Sequence, residues 1–100
     1  MDAATRKRLK QIAHHLNPVV SVGGRGLSEA LVAEIERALA DHELIKIRIH
    51  SPDRSERRAL ADEIAGICEA EVVQTIGKVC VLFKANPEPD KALSNLARHA

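Results

Sequence analysis

Phe83 is the only aromatic residue in this chain, which has no tryptophan and no tyrosine. Binding by a row of rings stacked on bases is therefore disfavoured, and the core must be built from Leu, Ile, Val and Ala. No apolar run approaches the ~18–20 residues that cross a bilayer. Residues 1–10 are charged and no apolar segment follows them, so no secretory signal is read there and a cytoplasmic location is expected. Cysteine is scarce: Cys68 and Cys80 stand outside any C-x-x-C pattern, with no second pair to complete a metal site. They are expected to be buried thiols in a reducing compartment. Net charge is also low, at +1.

What is present fits one folded domain. The chain has 100 residues, 45% hydrophobic and 29% charged, which argues against disorder. The small net charge conceals blocks of opposite sign. Residues 1–27 carry Arg6, Lys7, Arg8, Lys10 and Arg25 against Asp2 alone. Residues 28–45 carry Glu29, Glu34, Glu36, Asp41 and Glu43 against Arg37. Residues 46–58 turn basic again through Lys46, Arg48, Arg54, Arg57 and Arg58. If these blocks separate in space, the domain has one basic and one acidic face.

Leu9, Ile12, Ala13 and Leu16 recur at helical spacing, which predicts a helix from about Ala4 to His15 that Asn17-Pro18 ends. Pro18 to Val22 reads as a buried strand. After the glycines at 23, 24 and 26, Ser28 is a natural N-cap, with Leu27 and Val32 placed as a hydrophobic staple. The helix it opens has the stripe Leu31, Ile35, Ala38 and Leu39, and should end near Asp41-His42. Residues 43–50 alternate: Ile45, Ile47 and Ile49 face one way, Lys46, Arg48 and His50 the other. Such a strand suits a sheet covered by helices on one side.

Ser51-Pro52-Asp53 should start a third helix, with Pro52 pre-set for its first turn; Asp53 and Glu56 offer an alternative capping box one or two residues later. Its expected stripe is Leu60, Ile64, Ile67 and Cys68. Arg54, Arg57 and Arg58 crowd its first turns, where cations oppose the helix dipole. Two strands follow, Val72 to Ile76 and Val79 to Phe83, joined by Gly77-Lys78 in a type II′ hairpin; the second strand is apolar throughout and should be central. The compact domain is expected over 1–84. Residues 85–100 form a tail in which Leu93, Leu96 and Ala97 allow a short helix. The fold class is α/β, in the order α-β-α-β-α-β-β, with a four-stranded mixed sheet and helices mainly on one face.

The loop Gly23-Gly24-Arg25-Gly26 lies between a strand and a helix N-terminus, where free backbone N–H groups favour an anion. The P-loop pattern fails, because no Lys-Ser or Lys-Thr follows, and the dinucleotide fingerprint fails at Glu29. What remains is G-x-x-G, the spacing with which KH domains clamp a nucleic-acid backbone. A structural turn explains the same residues.

The motifs taken together resemble the CRM domain, the chloroplast RNA splicing and ribosome maturation family, in its stand-alone bacterial YhbY-like form. The resemblance rests on Leu16-Asn17-Pro18-Val19-Val20, Gly23 to Leu27, Ser28-Glu29, Glu43 to Ile47, and Ile76-Gly77-Lys78 through Phe83. It implies a fold similar to the C-terminal domain of translation initiation factor 3. It also implies RNA binding through the G-x-x-G loop and association with precursors of the large ribosomal subunit. The family commonly has a lysine or polar residue directly after the first loop glycine, where this chain has Gly24. Family members also often continue into a basic tail, which is missing here.

The candidate RNA-binding residues are Gly23, Gly24, Arg25 and Gly26, with Arg6, Lys7, Lys10, Lys46, Arg48, Arg54, Arg57 and Arg58 as the surrounding basic surface. Ribosomal RNA in a large-subunit precursor is the expected partner, with ribosomal proteins as further partners, no membrane, no cofactor and a monomeric chain. No catalytic constellation is found. His14 and His15 point about 100° apart on a helix and read as surface residues. Ser28 has no histidine–carboxylate relay and is explained by capping. The competing reading is a protein-interaction adaptor that docks a basic ribosomal protein on the acidic helix.

Overall fold

The computed structural model describes residues 1–23 and 26–99. Helix α1 spans Ala3–Ala13, strand β1 Pro18–Val22, helix α2 Glu29–His42 and strand β2 Leu44–Ile49. Helix α3 spans Arg54–Cys68, strands β3 and β4 span Glu71–Ile76 and Val79–Phe83, and a short helix α4 covers Asn95–Arg98. The sheet order is β1-β2-β4-β3. β1 runs parallel to β2, and the other pairs are antiparallel. The apolar strand β4 is thus interior, as its sequence predicts.

Each long helix starts on a polar side chain that satisfies free backbone donors. Asp2 accepts from the Thr5 N–H at 2.7 Å, and Ser28 accepts from the Leu31 N–H at 3.1 Å. Asp53 accepts from the N–H groups of Ser55 and Glu56. The expected return bond of a capping box is rerouted. Glu56 accepts from the Ser51 hydroxyl, and that hydroxyl accepts in turn from the Asp53 N–H. Bonds from Thr5 hold the Asp2 carboxyl below its usual range; the Ser55 hydroxyl, then the Glu56 and Ser55 amides, do the same for Asp53.

The α1 helix stops two residues earlier than its apolar spacing predicts. His15 and Leu16 continue only as single turns onto Ile12 and Ala13, because the chain must already be extending toward Pro18. Gly77 has φ +55° while Lys78 stays outside the left-handed region, which fits the expected II′ turn and excludes I′.

Two cores lie on opposite faces of the sheet. On one, α2 and α3 cover Val20, Val22, Ile45, Ile47, Ile49, Cys80 and Leu82. Truncating a residue as enclosed as Ile47 to alanine would cost about 2–5 kcal/mol. On the other, Leu9, Ile12 and Ala13 of α1 pack with Leu44, Val73 and Val81. The two longest helices therefore share one face, as expected, but the opposite face is not left open: α1 closes half of it. The alternation of β2 concealed this, because Leu44 precedes the basic positions and buries on the α1 side. A second departure is Ile67, which is 49% exposed while Ala61 and Ala65 take its place in the stripe.

The segment after β4 returns to the domain. Asn86 donates its side-chain amide to the Ala40 carbonyl, and Asn95 donates to the Leu44 carbonyl at 2.6 Å. Leu96 packs on the α1 core.

Candidate nucleic-acid interface

The chain leaves β1 at Val22 and enters α2 after Ser28, so Gly23 lies at the carboxyl ends of the two parallel strands and Gly26 shortly before the helix. Gly24 and Arg25 lie outside the described residues. Around them, the Gly26 N–H donates to the Gly23 carbonyl at 3.3 Å, and Gly26 has φ +79°, a conformation that favours glycine. The His50 N–H donates to the Val22 carbonyl and holds the end of β2 beside the loop. Gly23, Gly26, His50, Ser51 and Glu56 border a shallow hollow there.

A second hollow, of about 430 Å³, opens between the start of α3 and the β3–β4 turn. Arg54, Arg57 and Arg58 of α3 line it together with Lys78 of the turn and with Ile49 and Cys80. The spacing i, i+3, i+4 places the three arginines on one face of α3. Lys78 is the functional candidate that sequence reasoning missed. Its turn was legible, but not where the turn lands. The Ile49 N–H, donating to the Lys78 carbonyl at 2.7 Å, fixes that position. At the base of this hollow, burial and, less strongly, Asp62 push the Cys80 thiol up to about 12, so it stays protonated. Burial and Glu36 also raise Cys68, against Lys84.

A third hollow, of about 500 Å³, lies between α1 and the uncovered half of the sheet and is lined by Lys7, Lys10, His14, His15 and Lys46. Arg48 shares the sheet face of Lys46, two residues along β2, and is exposed. The three hollows adjoin. Ile49 lines both the first and the second, and Ile76 both the second and the third. The second and third hollows thus bring cations from α1, β2, α3 and the β3–β4 turn to the Ile76 end of the sheet edge, while Glu56 is the charged residue lining the first.

Two of the expected cations are held by the fold itself. Arg6 donates through one terminal nitrogen to the carbonyls of Val72 and Val73, at 3.2 and 2.7 Å. The β3–β4 register shifts between Val72 and Gln74, and Arg6 satisfies the carbonyls at that irregular edge. Arg57 donates to the carbonyls of Ser51 at 2.7 Å and Gly77 at 3.0 Å, tying α3 to the hairpin. Lys7, Lys10, Arg48, Arg54 and Arg58 are exposed, and Lys46 is half-buried.

Three acidic residues gather apart from these cations. Glu29, Glu36 and Glu63 line the groove between α2 and α3, beside the exposed Ile67. Among the described residues, no group of three His, Cys, Asp or Glu side chains could hold a metal ion. No helix there is long and apolar enough to cross a membrane.

Residues 1–84 match the CRS1/YhbY (CRM) domain. The chain is 47% identical over 95 residues to Probable RNA-binding protein PA4753 of Pseudomonas aeruginosa, covering 95% of this chain and 91% of that one. It is 48% identical over 88 residues to a Haemophilus influenzae protein named RNA-binding protein, covering 88% and 89%. Its fold is similar to the solution structure of SAV1595 from Staphylococcus aureus, with a TM-score of 0.78 and 25% identity over 88% of this chain and 92% of that chain. The motifs quoted from the sequence, the α-β-α-β-α-β-β order and these matches agree: the chain belongs to the CRS1/YhbY (CRM) domain family.

Proposed function

We infer that this protein is a non-enzymatic RNA-binding module, acting as a cytoplasmic monomer on ribosomal RNA in precursors of the large ribosomal subunit. The observation that carries the reading is the gathering of Lys7 and Lys10 from α1, Lys46 from β2, Arg54 and Arg58 from α3, and Lys78 from the turn along adjoining hollows. Gly23 and Gly26 border the first hollow, which shares Ile49 with the second. Related proteins named as RNA-binding support RNA as the ligand. Loop amides and Arg25 would hold phosphates at the start of α2, where the helix dipole assists, and the exposed cations would track the backbone beyond them. With Phe83 the only aromatic residue, contact is electrostatic rather than by ring stacking.

Sedimentation of cell extract tests the ribosomal part. The tagged protein should travel with large-subunit precursors and crosslink to RNA through residues 23–26. Migration only in the free fractions would remove the ribosomal assignment, and the absence of any RNA adduct would remove the RNA reading as well.

One observation favours the adaptor reading: exposed Ile67 beside Glu36 and Glu63 suits a basic, partly apolar protein segment. Protein adducts on α2, without RNA adducts at the loop, would favour it.

A further inference from the structure

The chain has no tryptophan or tyrosine on which a base could stack, yet it holds one planar group in place by hydrogen bonds. Arg57 is half-buried, and its Nε and Nη1 donate to the Gly77 and Ser51 carbonyls. The N–H bonds of a guanidinium lie in its plane, so these two bonds fix the plane and take up neither π face. Arg57 lines the hollow together with Ile49 and Cys80, and the volume of about 430 Å³ falls within the range of small-ligand sites. Arg54 and Arg58 stand on the same helix face, and Lys78 lines the hollow from the β3–β4 turn. Such cations at the start of a helix weaken it through the dipole. Their clustering there is accounted for by an anionic ligand.

We propose that this hollow receives one unpaired nucleotide of the bound RNA, its base stacked on the Arg57 guanidinium and its flanking phosphates held by Arg54, Arg58 and Lys78. The proposal rests on the RNA-binding reading and adds a preference that the glycine loop does not supply. A loop that grips backbone treats paired and unpaired strands by shape, whereas a stacking hollow requires a base that has left its helix. Arginine planes provide such stacking where aromatic rings are missing.

The test compares an RNA hairpin carrying a single-nucleotide bulge with the same hairpin fully paired, using 2-aminopurine as the bulged base. The protein should bind the bulged hairpin roughly tenfold more tightly, as expected for one stacked base, with a change in 2-aminopurine fluorescence. Arg57→Lys keeps the charge and loses the plane, so the preference and the fluorescence change should vanish while affinity for the paired hairpin holds. Because Arg57 also ties α3 to the hairpin, Arg58→Gln serves as a second variant. It leaves both Arg57 bonds in place, so it should weaken binding to both RNAs while keeping the fluorescence change. Equal affinity of the parent for the two hairpins, or a folded Arg57→Lys protein that retains the preference, overturns the nucleotide site and leaves the RNA-binding reading standing. Binding to neither hairpin overturns both.

Discussion

Ser94 donates its hydroxyl to Glu43 Oε1 at 2.7 Å, joining the segment after β4 to the junction of α2 and β2. Both residues are buried, and the other carboxylate oxygen of Glu43 accepts from the Asn86 N–H at 3.0 Å. Ser94→Ala leaves a buried carboxylate oxygen short of a donor, at a cost of about 1–3 kcal/mol. Urea unfolding measures the loss, and hydrogen exchange should show faster exchange in residues 86–98 before the sheet is affected. An unchanged midpoint and unchanged exchange would mean that this bond contributes nothing to holding the segment.

Glu69 ends α3 in the left-handed conformation, at φ 54° and ψ 40°, and its side chain is exposed. A non-glycine residue there is strained by roughly 1–2 kcal/mol, which glycine avoids while losing some unfolded-state entropy. Glu69→Gly should therefore raise the thermal midpoint by a few degrees without altering RNA affinity. A lowered midpoint would show that the Glu69 side chain contributes more than its backbone strain costs.

Arg6 and Lys10 lie one helical turn apart and should behave differently. Arg6→Ala frees the Val72 and Val73 carbonyls at the β3 edge and should destabilise the fold by about 1–3 kcal/mol. Lys10 is exposed in the hollow beside Lys46. Lys10→Ala should leave the thermal midpoint in place and weaken RNA binding about threefold, as loss of one phosphate contact predicts. Denaturation and filter binding on the same pair of variants separate the two roles.

Gly23 and Gly26 divide charge from conformation in the same way. Among the described residues, an added Cβ at either meets nothing within 4 Å, but of the two only Gly26 has a positive φ. Gly23→Asp should keep its stability while RNA affinity falls roughly tenfold, about 1.4 kcal/mol, through repulsion of phosphate. Gly26→Asp should lose stability as well. For the parent, about five phosphate contacts give a log K against log salt slope near −3.5 at roughly −0.7 per phosphate. A flat salt dependence, or full affinity in a folded Gly23→Asp protein, would remove the loop from the interface.

The cysteines give a pH prediction. The folded Cys80 thiol is pushed up to about 12 from 9.0 by burial first and Asp62 second. The unfolded chain therefore ionises first as pH rises, so this contribution to stability is complete below pH 9 and is lost between pH 9 and 12. Cys80 should resist iodoacetamide at pH 8 in the folded protein and react once the protein is unfolded. Rapid labelling of the native chain would contradict its enclosure.

The sequence alone determined the local structure of this protein. Ser28 and Asp53 as caps, Pro18 as a stop, Gly77 as a hairpin residue and the alternation of Ile45, Ile47 and Ile49 each act over a few residues, so each is legible without the fold. The central place of β4 was legible too, because an apolar strand must be covered on both faces. Three things were decided only by tertiary structure. Which face α1 covers depends on Leu44, Val73 and Val81, which come together from three strands. Which cations are free depends on where the unpaired carbonyls of Val73, Ser51 and Gly77 fall, and these engage Arg6 and Arg57. The place of Lys78 in the hollow of the α3 arginines depends on the pairing of β4 with β2. Spacing along a chain encodes a turn of helix or the alternation of a strand; it does not encode which distant carbonyl or cation the folded sheet brings alongside.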